Sequence, residues 1–375
     1  MMINNNLALL SLAQCPYLGP KKIAFLEKIF PCLGELFNIG VEELTKVGLS
    51  LEWSNKFIKW RQKFYLPELL NTLDQEKISY LSWHDDRYPD LLKEISSPPP
   101  IIFYRGDISL LNKRKRLAIV GSRKNTPYAE RVLQNFLPEL IKYEIIIISG
   151  LALGVDSLAH QQTLLNSGLT IAILGSGLKK KNIYPASNRL LAQEIIINGG
   201  LVISEFPPDC PAKKENFPRR NRLISGLAQA VLVVEAAAKS GSLITARLAL
   251  EQNRDVLAIP GNIFLASSAG VNQLIKEGAA PIMAATDILE NLNIELVPAN
   301  QTSKLSSAAH YQPKDYLEAA IYKTILEAEI IGESVSLDEI SKKTKLDTAT
   351  INSKLSILEI KKVVINRNGY FNLSL

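Results

Sequence analysis

From Leu117 to Ile259 the chain repeats one pattern: a short apolar run, a turn carrying Gly or Ser, then a segment with apolar positions at helical spacing. The runs Leu117–Val120, Ile145–Ile148, Leu169–Leu174, Leu201–Ile203, Ala230–Val234 and Val256–Ile259 read as strands. Strands without a polar face must be covered on both sides, and strands alternating with helices build a parallel sheet. The expected fold is therefore α/β, with a doubly wound, extended Rossmann-like domain over residues 113–292.

The flanks break this rhythm. Residues 1–75 carry apolar positions at helical spacing, interrupted by Leu18-Gly19-Pro20, Pro31, Gly34, Gly40 and Gly48, which predicts several short helices in a small SAM- or helix-hairpin-helix-like domain. The turn Leu18–Lys22 could set backbone amides against a phosphate or could simply join two packed helices. Residues 76–112 read as a connector, extended at Ser96-Ser97-Pro98-Pro99-Pro100, leading into an edge strand at Ile101–Tyr104. Small polar residues over 293–312 suggest a flexible linker. Over 313–375 the pattern gives a helix from Tyr316, a second from Leu337, a third capped by Asp347 and running to Ile360, then a hairpin of Val363–Asn366 and Tyr370–Leu373 around Asn368-Gly369. That order predicts a winged helix, for duplex DNA or for a protein partner.

Charge narrows the search for a binding surface. Residues 1–112 hold 12 Lys and Arg against 13 Asp and Glu, residues 113–292 hold 21 against 14, and residues 313–375 hold 9 against 9. The basic surplus of the chain, formally +6, thus sits in the sheet domain, which marks it as the polyanion-binding part. The three cysteines and three histidines are far apart and form no metal-ligand spacing, so no metal site or disulfide framework is expected. Without a leader-like segment or a long apolar run, the chain reads as a cytoplasmic protein with no membrane association.

Ligands of open α/β sheets bind beyond the carboxyl ends of the strands. There the sequence sets Gly121-Ser122-Arg123, the loop Ser149-Gly150 to Asp156, Gly175-Ser176-Gly177 followed by Lys179-Lys180-Lys181, and Lys239-Ser240-Gly241-Ser242. Glycine turns with adjacent cations suit phosphate, but none of them is a dinucleotide fingerprint or a Walker loop. Asp156 and His160, four apart on one helix, could bond each other as a structural pair, and Glu205 and Glu235 could hold loop amides or arginines. Near residue 217 the chain reads Lys213-Lys214-Glu215-Asn216-Phe217-Pro218-Arg219-Arg220-Asn221-Arg222. Cations for phosphates and an aromatic face for a base are what single-stranded nucleic acid needs, while a solvated basic turn with Phe217 in the core fits the same letters.

Taken together, Gly121-Ser122-Arg123, Ser149-Gly150-x-Ala152-x-Gly154-x-Asp156, Tyr184-Pro185, Ser204-Glu205-x-Pro207, Phe217-Pro218-x-Arg220-Asn221-Arg222, Ser240-Gly241-Ser242-x-x-Thr245-Ala246 and Pro260-Gly261 closely resemble the DprA/Smf family of DNA-processing proteins, over essentially the full chain. The resemblance implies a non-catalytic protein without cofactors that binds single-stranded DNA, forms a homodimer and loads the recombinase RecA during natural transformation. It assigns single-stranded DNA contacts to Arg123, Lys214 and Phe217. With the cations and turns around them, the expected interface is Gly121, Ser122, Arg123, Gly150, Lys179, Lys180, Lys181, Lys213, Lys214, Phe217, Arg219, Arg220, Asn221, Arg222, Ser240, Gly241 and Ser242. The alternative is a nucleotide-binding or phosphoribohydrolase-like Rossmann enzyme, but Lys239 to Ala246 lacks the diglycine of that group and meets no Glu before Glu251.

Overall fold

The computed structural model describes residues 4–294, 315–330, 335–361, 363–367 and 369–373. Residues 295–312 of the expected linker, and Asn368 of the expected hairpin turn, lie outside them. Two compact units are formed, Met1–Ile294 and Glu295–Leu375.

The first unit opens with α1 (Asn5–Leu12), α2 (Pro20–Ile29), α3 (Val41–Lys46), α4 (Leu51–Lys63) and α5 (Leu66–Gln75). Pro20 takes the first position of α2 behind the Gly19 cap, where its missing N–H costs nothing. These helices share their core with the sheet: Leu9, Leu12, Ile23, Leu26 and Phe57 join Ile101, Phe103, Ala172 and Val202 in one buried cluster. Each large apolar side chain so buried contributes about 1.5–3 kcal/mol, and the helical segment obtains much of that by covering one sheet face.

There follow β1 (Ser79–Ser82), α6 (Asp90–Lys93), β2 (Ile101–Gly106), β3 (Arg116–Val120), α7 (Pro127–Lys142), β4 (Ile146–Ser149), α8 (Val155–Leu165), β5 (Thr170–Ile173), α9 (Arg189–Ile197), β6 (Leu201–Ser204), α10 (Asn216–Gly226), β7 (Ala230–Val233), α11 (Ser242–Glu251), β8 (Asp255–Ala258), α12 (Ala269–Lys276), β9 (Ala280–Pro281) and α13 (Ala285–Asn291). Among the described residues the strands form one sheet in the order β1-β2-β6-β5-β4-β3-β7-β8-β9. Pairing is parallel from β6 to β9, while β2 lies antiparallel to β6 and β1 antiparallel to β2. β2 is thus interior, against the expectation of an edge strand. Its edge is taken by β1, whose Tyr80 lies opposite Phe103. The stretch 76–112, expected as a connector with one edge strand, supplies two strands of the sheet.

Alternate side chains serve opposite layers. Ile146 and Ile148 pack with Leu223, Ile224 and Ala246 on one face, and Leu117, Ile119 and Ile147 pack with Leu133, Leu137 and Ile288 on the other. From β3 the chain winds outward to β4, β5 and β6, then crosses back to β7 on the far side of β3 and continues to β8. The two halves diverge between β3 and β7, and that reversal leaves a crevice at their carboxyl ends.

The second unit comprises α14 (Tyr316–Ile330), β10 (Val335–Ser336), α15 (Leu337–Thr344), α16 (Thr348–Ile360), β11 (Val364–Arg367) and β12 (Tyr370–Leu373). Ser336 and Glu339 form a reciprocal capping box on α15, and the Asp347 carboxylate accepts from the Thr350 amide at the start of α16. The strands pair as β10-β12-β11 over a core including Ile321, Ile340, Leu355 and Phe371. Among the described residues, three helices and a three-stranded sheet make this a winged helix. The short β10 was not visible in the sequence pattern.

Candidate functional site

A cleft of roughly 720 Å³ occupies the crevice beyond β3 and β7. One wall is the turn after β3. The Ser122 hydroxyl donates to the Lys124 carbonyl (2.9 Å) and accepts from the Lys124 amide (3.1 Å), so its expected phosphate contact is already spent on closing this turn. The turn presents Arg123 to solvent. Gly154, at φ +80°, brings α8 against it, and a Cβ there would lie 2.2 Å from the Ser122 carbonyl oxygen. Only glycine meets both demands.

The opposite wall is α10. Phe217, Pro218, Asn221 and Ile224 line the cleft, as successive helical turns on one face should, and Lys214 joins them from the turn before the helix. Phe217 is half-buried on the backbone of Gly175, where a Cβ would lie 2.8 Å from the ring. The Arg123 guanidinium stands 5.5 Å from the Phe217 ring centroid, within cation–π range, and the tilted Tyr184 ring lies 5.7 Å away. A third wall comes from Lys239, Ser240, Gly241 and Ser242 at the start of α11. The two serine hydroxyls bond each other at 2.8 Å, and the first amides of the helix are engaged within this turn, Ser242 N–H with the Ser240 hydroxyl and Leu243 N–H with the Ser240 carbonyl.

Under the cleft lies a buried charge pair. Arg220 is 3 % exposed, and its Nη1 donates to the carbonyls of Gly150 (2.6 Å) and Ile173. Asp156 accepts from the amides of Gly150 (3.1 Å) and Ala152 (3.4 Å). Burial lowers the Arg220 guanidinium to about 10, partly offset by Asp156. Burial likewise pushes the Asp156 carboxyl up, against the opposing pull of Arg220 and the two amides. The glycine loop at Gly150 is therefore no open anion nest, because its amide serves Asp156 and its carbonyl serves Arg220.

Several expected contacts fall elsewhere. Arg220 and Gly150 are internal. Arg222 is tied to Glu205 at 2.6 Å, and Arg219 lies over the Phe206 ring at 5.3 Å and 3.8 Å from Glu205. Neither lines the cleft, since a helix turns about 100° per residue and carries their side chains off the face of Phe217 and Asn221. Lys179 pairs with Asp209 at 2.7 Å, and Lys180, Lys181 and Lys213 lie outside the cleft lining. The structure brings together Gly121, Ser122, Arg123, Lys214, Phe217, Asn221, Ser240, Gly241 and Ser242 around the cleft, with the buried Arg220 at its floor. It adds Lys239 and Tyr184, which the sequence offered only as a cation beside a turn and as an aromatic before a proline. Asp156 and His160 do not bond: the His160 Nδ1 meets the Thr170 hydroxyl at 2.7 Å, and burial lowers the imidazole to about 3. Glu235 accepts from the Thr126 amide at 3.0 Å, and Glu205 holds its arginines, as the sequence suggested.

A doubly wound sheet with a cationic, glycine-lined cleft at its switch point defines an extended Rossmann-like protein. The family described as DNA recombination-mediator protein A matches residues 79–293, and the chain belongs to it. Protein Smf of Escherichia coli (strain K12) is 41 % identical over 253 residues, 68 % of this chain and 67 % of that protein. The crystal structure of DNA processing protein A from Streptococcus pneumoniae superposes with a TM-score of 0.65 at 33 % identity, covering 79 % of this chain and 100 % of that one. A structure of the Helicobacter pylori protein, described for its single-stranded DNA binding mode, matches at a TM-score of 0.52 and 32 % identity, covering 57 % of this chain and 96 % of that one.

Proposed function

We propose that this chain is a non-catalytic recombination mediator that binds single-stranded DNA in the switch-point cleft, shields it and loads RecA onto it in the cytoplasm. The reading rests on one arrangement: Arg123, Lys214 and Lys239, without an ion pair among the described residues, surround a half-buried Phe217 in a single cleft. Cations take phosphates and aromatic rings take bases without regard to sequence. The carboxylate that lines the cleft, Asp156, is buried and accepts from two amides, under the electrostatic pull of Arg220, which reads as a structural role. Residues 1–75 then act as a helical cover of the sheet, 113–292 as the DNA-binding domain and 313–375 as an accessory winged helix. The chain would act as a homodimer. Electrophoretic titration of equal-length single and double strands, with RecA nucleation followed on the bound strand, tests the reading. Equal affinity for both strands, or tight capture of free nucleotide in place of DNA, would favour a nucleotide-binding Rossmann protein instead.

A further inference from the structure

The geometry points to Tyr184 as a nucleobase-binding residue of the cleft, its exposed ring face offering the platform on which a base stacks. The inference rests on the single-stranded DNA reading and refines where the base goes. Phe217 is crowded on three sides: Gly175 backs its edge, Arg123 stands near it and Tyr184 tilts against it at an interplanar angle of 55°. A base sandwiched between two rings needs them parallel and about 7 Å apart, twice an optimal carbon–carbon contact. At 5.7 Å and inclined, Tyr184 and Phe217 already touch, so no base fits between them.

The open aromatic surface is the outer face of Tyr184. Its side chain lines the cleft, and the residue is 52 % exposed, an unusual exposure for a ring packed on another ring. Its hydroxyl has no partner among the described residues. Phe217 then braces Tyr184 from behind, while Arg123 and Lys214 hold the phosphates on either side of the stacked base. Stacking on a ring needs no particular base, which matches a cleft whose polar groups are mostly engaged with the protein itself.

The test uses the full chain and two strands of equal length, oligothymidine and the same strand with abasic sugars, which carry identical phosphate charge. Parent protein should bind oligothymidine roughly five- to 150-fold more tightly than Tyr184→Ala does, and the two proteins should bind the abasic strand alike. Tyr184→Leu, which keeps bulk against Phe217 without an aromatic face, should lose base dependence in the same way, and Tyr184→Phe should bind as the parent does. Equal losses on both strands would make Tyr184 a scaffold residue and overturn the inference. So would parent-like binding of oligothymidine by Tyr184→Ala, or a loss in Tyr184→Phe as large as in Tyr184→Ala, which would assign the contact to the hydroxyl. Failure of the parent protein to bind oligothymidine would overturn the single-stranded DNA reading itself, and this inference with it.

Discussion

Arg220→Met separates an arginine that holds the fold from one that holds DNA. The substitution keeps most of the side-chain volume and removes the charge and its donors. Arg220 is buried beneath the cleft, where it donates to the Gly150 and Ile173 carbonyls and faces the Asp156 carboxylate. Without it Asp156 is left in the interior with two amides and only the weaker pull of Arg123. Breaking a buried pair from one side costs roughly 3–5 kcal/mol, mostly the penalty of the charge left behind. At about 2–4 °C per kcal/mol for a unit of this size, melting should fall by roughly 6–20 °C. Adding Asp156→Asn removes the stranded charge while its amide oxygen can still accept from Gly150, so the double variant should melt above the single one. Far-UV circular dichroism melts and DNA titrations below both transitions decide the matter, with the salt dependence of binding expected to match the parent's. An Arg220→Met protein that melts within about 2 °C of the parent, and whose salt slope drops by about one counterion, would refute this reasoning and return Arg220 to the DNA interface.

With Arg123, Lys214 and Lys239 as cleft cations that have no ion pair among the described residues, log affinity for single strands should fall against log salt with a slope of about −2; Arg123→Ala and Lys214→Ala should each flatten it by nearly one counterion and leave the melting temperature unchanged. A chain ending at residue 312 should keep its preference for single over double strands, because the basic surplus lies in 113–292; an electrophoretic shift showing that preference lost would move the site to the winged helix. His160 is held neutral, with its folded value lowered to about 3 from an ordinary 6.5, so the unfolded chain takes up its proton first. Stability should be full above pH 6.5 and decline as pH falls toward 3 by up to about 1.4 kcal/mol per unit, and His160→Gln should flatten melting temperature against pH between 6.5 and 5; equal slopes would exclude His160 as the cause.

The core strands were legible because a strand buried on both faces writes itself as an unbroken apolar run. Ser79-Tyr80-Leu81-Ser82 has no such run; it becomes β1 through pairing with β2 and through burial of Leu81 and Ser82 alone. β9 and β10 are two residues each and leave no period to read. The position of the cleft was legible too, since glycine turns at strand ends mark where a ligand can approach. Its aromatic wall was half legible: Phe217 stands out among cations, whereas Tyr184 comes from a separate loop and meets Phe217 only in three dimensions.

The cations show why composition overstates an interface. Nine were expected to track phosphate, and counterion release from all nine would give a slope of about −6 for a single strand. The structure withdraws four of them by local geometry: Arg220 goes inward toward Asp156, Arg222 and Arg219 go to Glu205 and Phe206, and Lys179 goes to Asp209, while Lys180, Lys181 and Lys213 lie outside the cleft lining. Arg219, Arg220 and Arg222 are near neighbours in sequence, but the helix turns Arg220 inward while Arg219 and Arg222, three apart on one face, both meet Glu205, so the fate of each depends on a residue elsewhere in the chain. Charge count along the sequence therefore locates the binding domain, while the pairing of each charge within the fold sets how many are left to meet DNA.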